Sequence, residues 1–261
     1  MRYISGIARH SPLAQFNLIR IILALALLVS LNTPQVVRAT TNPTVQTQVE
    51  IGRSVGGRPI IAERLGTRGG PVVLLTGLIH GDEKGSNPVL NRIRRDIVAN
   101  GSKADVWIIR VVSPDGANRH TRANSRGVDL NRNFPTSDWQ RTPRGLNFSG
   151  VSAGSEPETQ AIVSFIRTYR PVLSIWFHQV GPMVDPHPLG DILIMRKFAT
   201  VTGYPLVSAP CRGVCVGTAT TFHAQTVPGA TAFVVELPAK VTISHVERNL
   251  AAVRAVVSML S

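Results

Sequence analysis

Apolar positions in this chain fall into short runs separated by stretches with helical spacing. Val72 to Ile79, Val106 to Val112, Val172 to Phe177 and Thr231 to Val235 are four such runs, punctuated by Gly, Pro and polar residues. That pattern predicts buried strands rather than helices. Val49 to Arg53 and Pro59 to Leu65 read as a pair of edge strands turned at Val55-Gly56-Gly57. Helical spacing appears between the runs. Val89, Ile93 and Ile97 predict a helix from Ser86 to about Val98, ended by Asn100-Gly101. Ser155 and Glu158, with Pro157 between them, predict a capping box and a helix to about Tyr169, where Pro171 stops it. Asp191 to Val201 reads as a further helix. Ser244 and Glu247 predict a second capping box opening a last helix through Leu250, Val253 and Val256. Residues 113–153 and 203–230 read as loops; the first is long, polar and rich in Gly, Pro, Asn and Arg, which in a compact domain points to function rather than filler. Strands alternating with helices predict an α/β fold, one domain built on an open, largely parallel twisted sheet.

In such sheets ligands sit beyond the carboxyl ends of the strands. His80, His178 and Glu236 each fall one residue past a predicted strand, so three reactive groups are expected at one edge of one sheet. Glu83 follows His80 in an H-x-x-E spacing, with Gly81 expected to let the backbone turn tightly between them. His80, Glu83 and His178 together offer two nitrogens and a carboxylate, a common catalytic zinc set that leaves one position open. Glu236 lies between apolar Phe233-Val234-Val235 and Leu237-Pro238, a setting that raises a carboxyl group's pKa and suits it to carry protons near neutrality. The long polar stretch contains Arg122 and then GVDLNRNFP at 127–135. Arg132, beside Asn131, can hold a substrate carboxylate through paired hydrogen bonds, and Arg122 can stabilise an oxyanion. Arg119 and Arg126 read as loop ties to backbone carbonyls. His120 and His187 read as surface histidines.

Composition adds an address. Of 261 residues, 43% are hydrophobic, so disorder is not the default and the chain is long enough for one large domain. Residues 1–39 read as a signal peptide: a basic start with Arg2, Arg9 and Arg20, an apolar Ile21 to Leu31, and Val37-Arg38-Ala39 as a cleavage site. The apolar stretch is shorter than the ~20 residues a membrane span needs, so no stable span is expected after cleavage. Residues 40–47 read as a flexible lead-in and 48–261 as the catalytic domain. The formal charge is +13; the segment to be removed holds four Arg and no acid, leaving +9. An exported basic protein, periplasmic or secreted, suits an anionic cell wall; scattered charge and the compartment argue against nucleic acid. The same compartment favours a local disulfide between Cys211 and Cys215 in CRGVC.

HGDE, NR within GVDLNRNFP, FHQ and VVELP, in that order from about Gly52 to Leu237, together resemble the carboxypeptidase A-type zinc peptidases. GRSVGGRPI, SPDG and TAFVVELP bring the resemblance nearest to the bacterial branch that cleaves murein peptides, the γ-D-glutamyl-meso-diaminopimelate amidases. The resemblance implies a mixed sheet of about eight strands between helices. It implies that His80, Glu83 and His178 bind one zinc ion and that Glu236 is the general base. Arg122 would polarise the scissile carbonyl, and Asn131 with Arg132 would bind the substrate's terminal carboxylate. Two positions depart from the digestive-type pattern. Asp82 stands where those members carry Arg, and as an acid it would suit the positive amine of diaminopimelate. No tyrosine matches the lid residue, since Tyr204 lies far from Glu236; Thr221 or His223 could line that lid, though packing explains either. The expected activity is zinc-dependent hydrolysis of an amide next to a free carboxylate, in a murein stem peptide. The alternatives are an ordinary metallocarboxypeptidase acting on protein C-termini, separable by substrate comparison, and a non-catalytic wall-peptide binding module, which would have no chemical need for Glu236.

Overall fold

The computed structural model describes residues 47–208 and 215–260. The expected signal peptide, residues 40–46 and Cys211 lie outside the described residues. Thr47, expected in the lead-in, opens the first strand instead. Seven strands form one sheet: β1 (Thr47–Arg53), β2 (Pro59–Gly66), β3 (Val72–Thr76), β4 (Asp105–Ile109), β5 (Leu173–Gln179), β6 (Met183–Pro186) and β7 (Thr231–Leu237). Their order is β1-β2-β4-β3-β5-β7-β6. The four central strands, β4-β3-β5-β7, run parallel; β1, β2 and β6 pair antiparallel at the flanks. The sheet is therefore mixed, parallel only at its centre, with seven strands among the described residues against the eight implied. β2 is an inner strand, because it pairs with β4 as well as β1.

Helices cover both faces. α1 (Ser86–Asn100), α4 (Ile192–Thr202) and α6 (Ile243–Val257) bury Val89, Ile93, Phe198, Leu250 and Val253 against Leu75, Ile175, Phe177 and Val235 of the sheet. α3 (Pro157–Tyr169) and α5 (Ala219–Thr226) pack on the other face, where Ile162, Ile166 and Phe222 meet Leu74, Trp107 and Trp176. Alternate residues of one strand thus feed opposite cores, as the two-residue period of a strand requires, and both sides being apolar explains the unbroken hydrophobic runs.

Several local expectations change. The first apolar run ends as a strand at Thr76, because Leu78 takes a left-handed φ of 46° that turns the chain toward His80. α1 starts at Ser86 with Gly85 as its cap residue, and no side chain caps it. The Ser155–Glu158 box does not form: α3 begins at Pro157 with no side-chain cap, Ser155 Oγ donates to Glu156, and Glu158 accepts from Asn124 and from Val55 N. The last helix is capped by Thr242 and His245, not Ser244 and Glu247; Glu247 pairs with Arg92 at 2.7 Å. The polar stretch 113–153 contains α2 (Pro114–Arg119) and a single 3₁₀ turn at Leu130–Arg132. α5 lies inside what reads as loop.

Candidate active site

His178 and Glu236 stand opposite each other in the parallel register of β5 and β7. Residues paired in this way project to the same side of a sheet. His80 and Glu83 reach the same place from the β3–α1 loop. Gly81 is needed there for close approach rather than for a special backbone angle: a Cβ on it would sit 1.9 Å from the carbonyl carbon of Gly116 in α2.

The three ligand candidates converge. One donor atom from each of His80, Glu83 and His178 lies within 4.8 Å of the others, and all three residues are buried. His178 Nδ1 is 3.2 Å from His80 Nδ1 and 2.9 Å from Glu83 Oε2, while His80 Nδ1 is 2.7 Å from Glu83 Oε1. On its far side His80 Nε2 meets Asp129 Oδ1 at 3.0 Å. A proton held there by Asp129 leaves Nδ1 with its lone pair pointing into the cluster. Two imidazole nitrogens and a carboxylate then face one another, an arrangement that a shared proton or a cation can hold together. Burial lowers the pKa of His80, but Asp129 and Glu83 outweigh it and bring the pKa up to about 9. Burial would raise Glu83, yet His178 and His80 hold its carboxyl well below the usual range. The donor set therefore fits a divalent cation of the zinc class.

Arg122 is tied to the same cluster. Its Nε and Nη2 donate to Asp129 Oδ2 at 3.1 and 2.8 Å, and its Nη1 lies 3.1 Å from His80 Nδ1 and 3.4 Å from Glu83 Oε1. Asp129 thus orients both an imidazole and a guanidinium, and sequence reasoning missed it although it sits inside GVDLNRNFP. It also accepts from Asn131 N and starts the 3₁₀ turn that presents Asn131 and Arg132. Asn131 Oδ1 accepts from Ala219 N, leaving its NH₂ group as donor. Arg132 is buried, its Nη1 donating to Asn131 O at 2.7 Å. The loop behind these residues is organised by buried Asn124, which accepts from Arg126 N and Val128 N and donates to Glu156 and Glu158. Arg126 pairs with the Glu156 carboxylate at 3.6 Å rather than with a carbonyl.

A cavity of about 780 Å³ opens over the cluster, lined by His80, Glu83, Arg122, Asn131, Arg132, His178 and Glu236. Burial raises the Glu236 pKa, which His178 only partly offsets, and its Oε2 is buried with no hydrogen-bond partner among the described residues. Asp185 and His187 also line the cavity, so His187 is not a surface histidine as expected. It reaches Thr221 Oγ1 at 3.3 Å, and Thr221 is a lining residue too. Asp82 is exposed and does not line the cavity. His120 is exposed. His223 is buried in the core behind the site, and Tyr204 is buried with its hydroxyl accepting from Asn249. Cys215 lines the cavity and is disulfide-bonded, in line with the bridge expected in CRGVC.

Residues 36–190, more than half of the chain, match the family model described as zinc carboxypeptidase. The chain belongs to the zinc carboxypeptidase family. It is a metallopeptidase, a hydrolase. The match covers both histidines and Glu83; Glu236 lies beyond it. Murein peptide amidase A of Escherichia coli K12 is 31% identical over 171 residues, 59% of this chain and 70% of that protein. The crystal structure of murein-tripeptide amidase MpaA from Escherichia coli O157 superposes with a TM-score of 0.66 at 25% identity, covering 82% of this chain and 91% of the other. Carboxypeptidase A from Helicoverpa armigera gives 0.69 at 22% identity over 83% and 69%, a likeness of fold.

Proposed function

We propose that this zinc carboxypeptidase family member is an exported amidase that cleaves γ-D-glutamyl-meso-diaminopimelate in murein stem peptides. The observation that carries the reading is the cavity itself: a His₂Glu cluster and the half-buried Glu236 line it together with Asn131 and Arg132, which can grip a terminal carboxylate. Likeness to murein peptide amidase A supports the substrate class. Asp185 adds a carboxylate to the wall, which suits a leaving group that carries a second amine. The basic leader favours export, the +9 of residues 40–261 favours an anionic wall, and no helix among the described residues is long and apolar enough to cross a membrane.

In this reading His80, Glu83 and His178 hold the zinc ion. Zinc, when bound, polarises a carbonyl and lowers the pKa of water. Arg132 and Asn131 fix the substrate carboxylate, so the amide lies between that anchor and Glu236. Glu236, with its raised pKa, takes a proton from the attacking water and delivers it to the leaving nitrogen. Arg122 donates to the carbonyl oxygen as negative charge builds there, and Asp129 keeps its guanidinium aimed.

The test is to incubate zinc-loaded protein with L-Ala-γ-D-Glu-meso-diaminopimelate and, separately, with an ordinary peptide with a free C-terminus. Mass spectrometry follows the products, with chelator and Glu236→Gln as controls. Release of diaminopimelate, lost in both controls, is expected. Trimming of the ordinary peptide alone would make the protein a general carboxypeptidase.

A further inference from the structure

We infer that Gln179 is a positioning residue that fixes the metal-binding loop relative to the general base. The inference rests on the assignment of His80, Glu83 and His178 as ligands and Glu236 as base.

Gln179 follows His178 at the end of β5 and bonds two other segments, the loop at 83–85 and the chain at 238–239. Its Oε1 accepts from Gly85 N at 2.7 Å. Its Nε2 donates to Pro238 O at 2.9 Å and to Ala239 O at 3.3 Å. Its backbone N–H donates to Glu83 Oε2 at 3.2 Å. One residue therefore connects the loop of the first two ligands, the strand of the third, and the end of the strand that carries Glu236. The contacts require a primary amide in one orientation, oxygen toward an N–H and nitrogen toward two carbonyls. Asparagine is one methylene too short to span the same atoms, and an ionised glutamate would set an acceptor against two acceptors.

The loop is shaped to admit this amide. Gly85 has φ −61° and ψ −22°, ordinary helical values that alanine adopts freely. A Cβ at Gly85 would nevertheless lie 2.5 Å from Gln179 Cδ and 2.6 Å from its Nε2. Glycine is thus explained here by the side chain that enters, not by backbone geometry. The two positions act as one device: either a methyl group at 85 or truncation at 179 breaks the tie. Once it is broken, the loop that carries His80 and Glu83 is no longer pinned to the end of the strand that carries Glu236, and a displacement near 1 Å is enough to slow a reaction about 10²-fold.

The experiment is a double-mutant cycle with Gly85→Ala, Gln179→Ala and the pair, on zinc-loaded protein with L-Ala-γ-D-Glu-meso-diaminopimelate. The readouts are kcat, KM, zinc affinity by chelator competition, and Tm. Each single variant is expected to lower kcat roughly 10- to 100-fold, the range for residues that support metal ligands, with KM nearly unchanged. The double variant should be no slower than Gln179→Ala, because the methyl at 85 meets nothing once the amide is gone. Gly85→Ala keeps the test alive if Gln179→Ala folds poorly. Losses in kcat that multiply in the double variant would overturn the inference. So would a fall in Tm with kcat of the folded protein unchanged, the mark of a purely structural residue. Glu236→Gln runs alongside. If it loses turnover while the Gln179 variants keep theirs, only this inference fails. If it keeps full turnover, the base assignment fails and takes the inference with it.

Discussion

His80 and His223 are buried almost equally, 2% and 0% exposed, yet their surroundings push them in opposite directions. His80 faces Glu83 and Asp129, and its pKa rises to about 9. His223 Nδ1 meets Ser174 Oγ at 2.7 Å and its Nε2 donates to Pro171 O at 2.7 Å. Those partners are neutral, so burial dominates and the pKa falls to about 4. Ser174 also accepts from Trp176 Nε1, completing a chain that serves the core. Burial alone therefore does not mark a functional histidine; buried carboxylates beside it do, because they store negative charge that a cation can satisfy.

The comparison can be broken most severely by swapping the same residue at both places. His80→Gln should abolish zinc binding and turnover in the murein tripeptide assay, whereas His223→Gln should leave both in place; equal effects would erase the distinction. Next in size is acid sensitivity. An unfolded imidazole protonates near 6.5 but His223 in the folded protein only near 4, so between these values the unfolded chain binds more protons. Stability present above pH 6.5 is lost as pH falls through 4, by about 3 kcal/mol at ~1.4 kcal/mol per unit. Denaturant titrations across that range should show this slope in the wild type and lose its share in His223→Gln. Asp129→Asn moves the surroundings of His80 toward those of His223. It should weaken zinc about 10- to 100-fold in chelator competition, the usual cost of losing a carboxylate behind a histidine ligand. Smallest is Asp82→Ala: an exposed side chain off the cavity wall should change Tm little, by under ~0.5 kcal/mol equivalent, and leave selectivity between amine-bearing and neutral substrates unchanged.

The same contrast explains what was legible in the sequence. His178 and Glu236 could be found because each ends an apolar run, and a strand places its next residue by register alone. Arg122, Asn131 and Arg132 stand out as candidates by their chemistry in the polar stretch, but only family resemblance separates their roles, since no periodicity governs residues 113–153. Asp129 escaped because its role lies in two partners 49 and 7 residues away, His80 and Arg122. α5, sequence ATTFHAQT, escaped because it shows no helical apolar spacing; it is held by Thr218 at its start and by Phe222 in the core. β6 is four residues long, preceded by Pro182 and ending in Pro186, too short to register as a strand. Neither expected capping box forms, because each helix starts in a different register: Glu156 rather than Ser155 is the cap residue of α3, and Thr242 rather than Ser244 that of α6, while Glu158 and Glu247 pair with Asn124 and Arg92.

The strand order carries a consequence for biosynthesis. β7 lies between β5 and β6 although it is made after both, and among the described strands β6 pairs with β7 alone. While the chain emerges from the ribosome, β6 waits without that partner until residues 231–237 arrive. Only their insertion brings Glu236 beside His178 and seats the wall that bears Asp185. Until then the hydrolytic centre is in pieces, its two histidines and Glu83 already made and its base still to come.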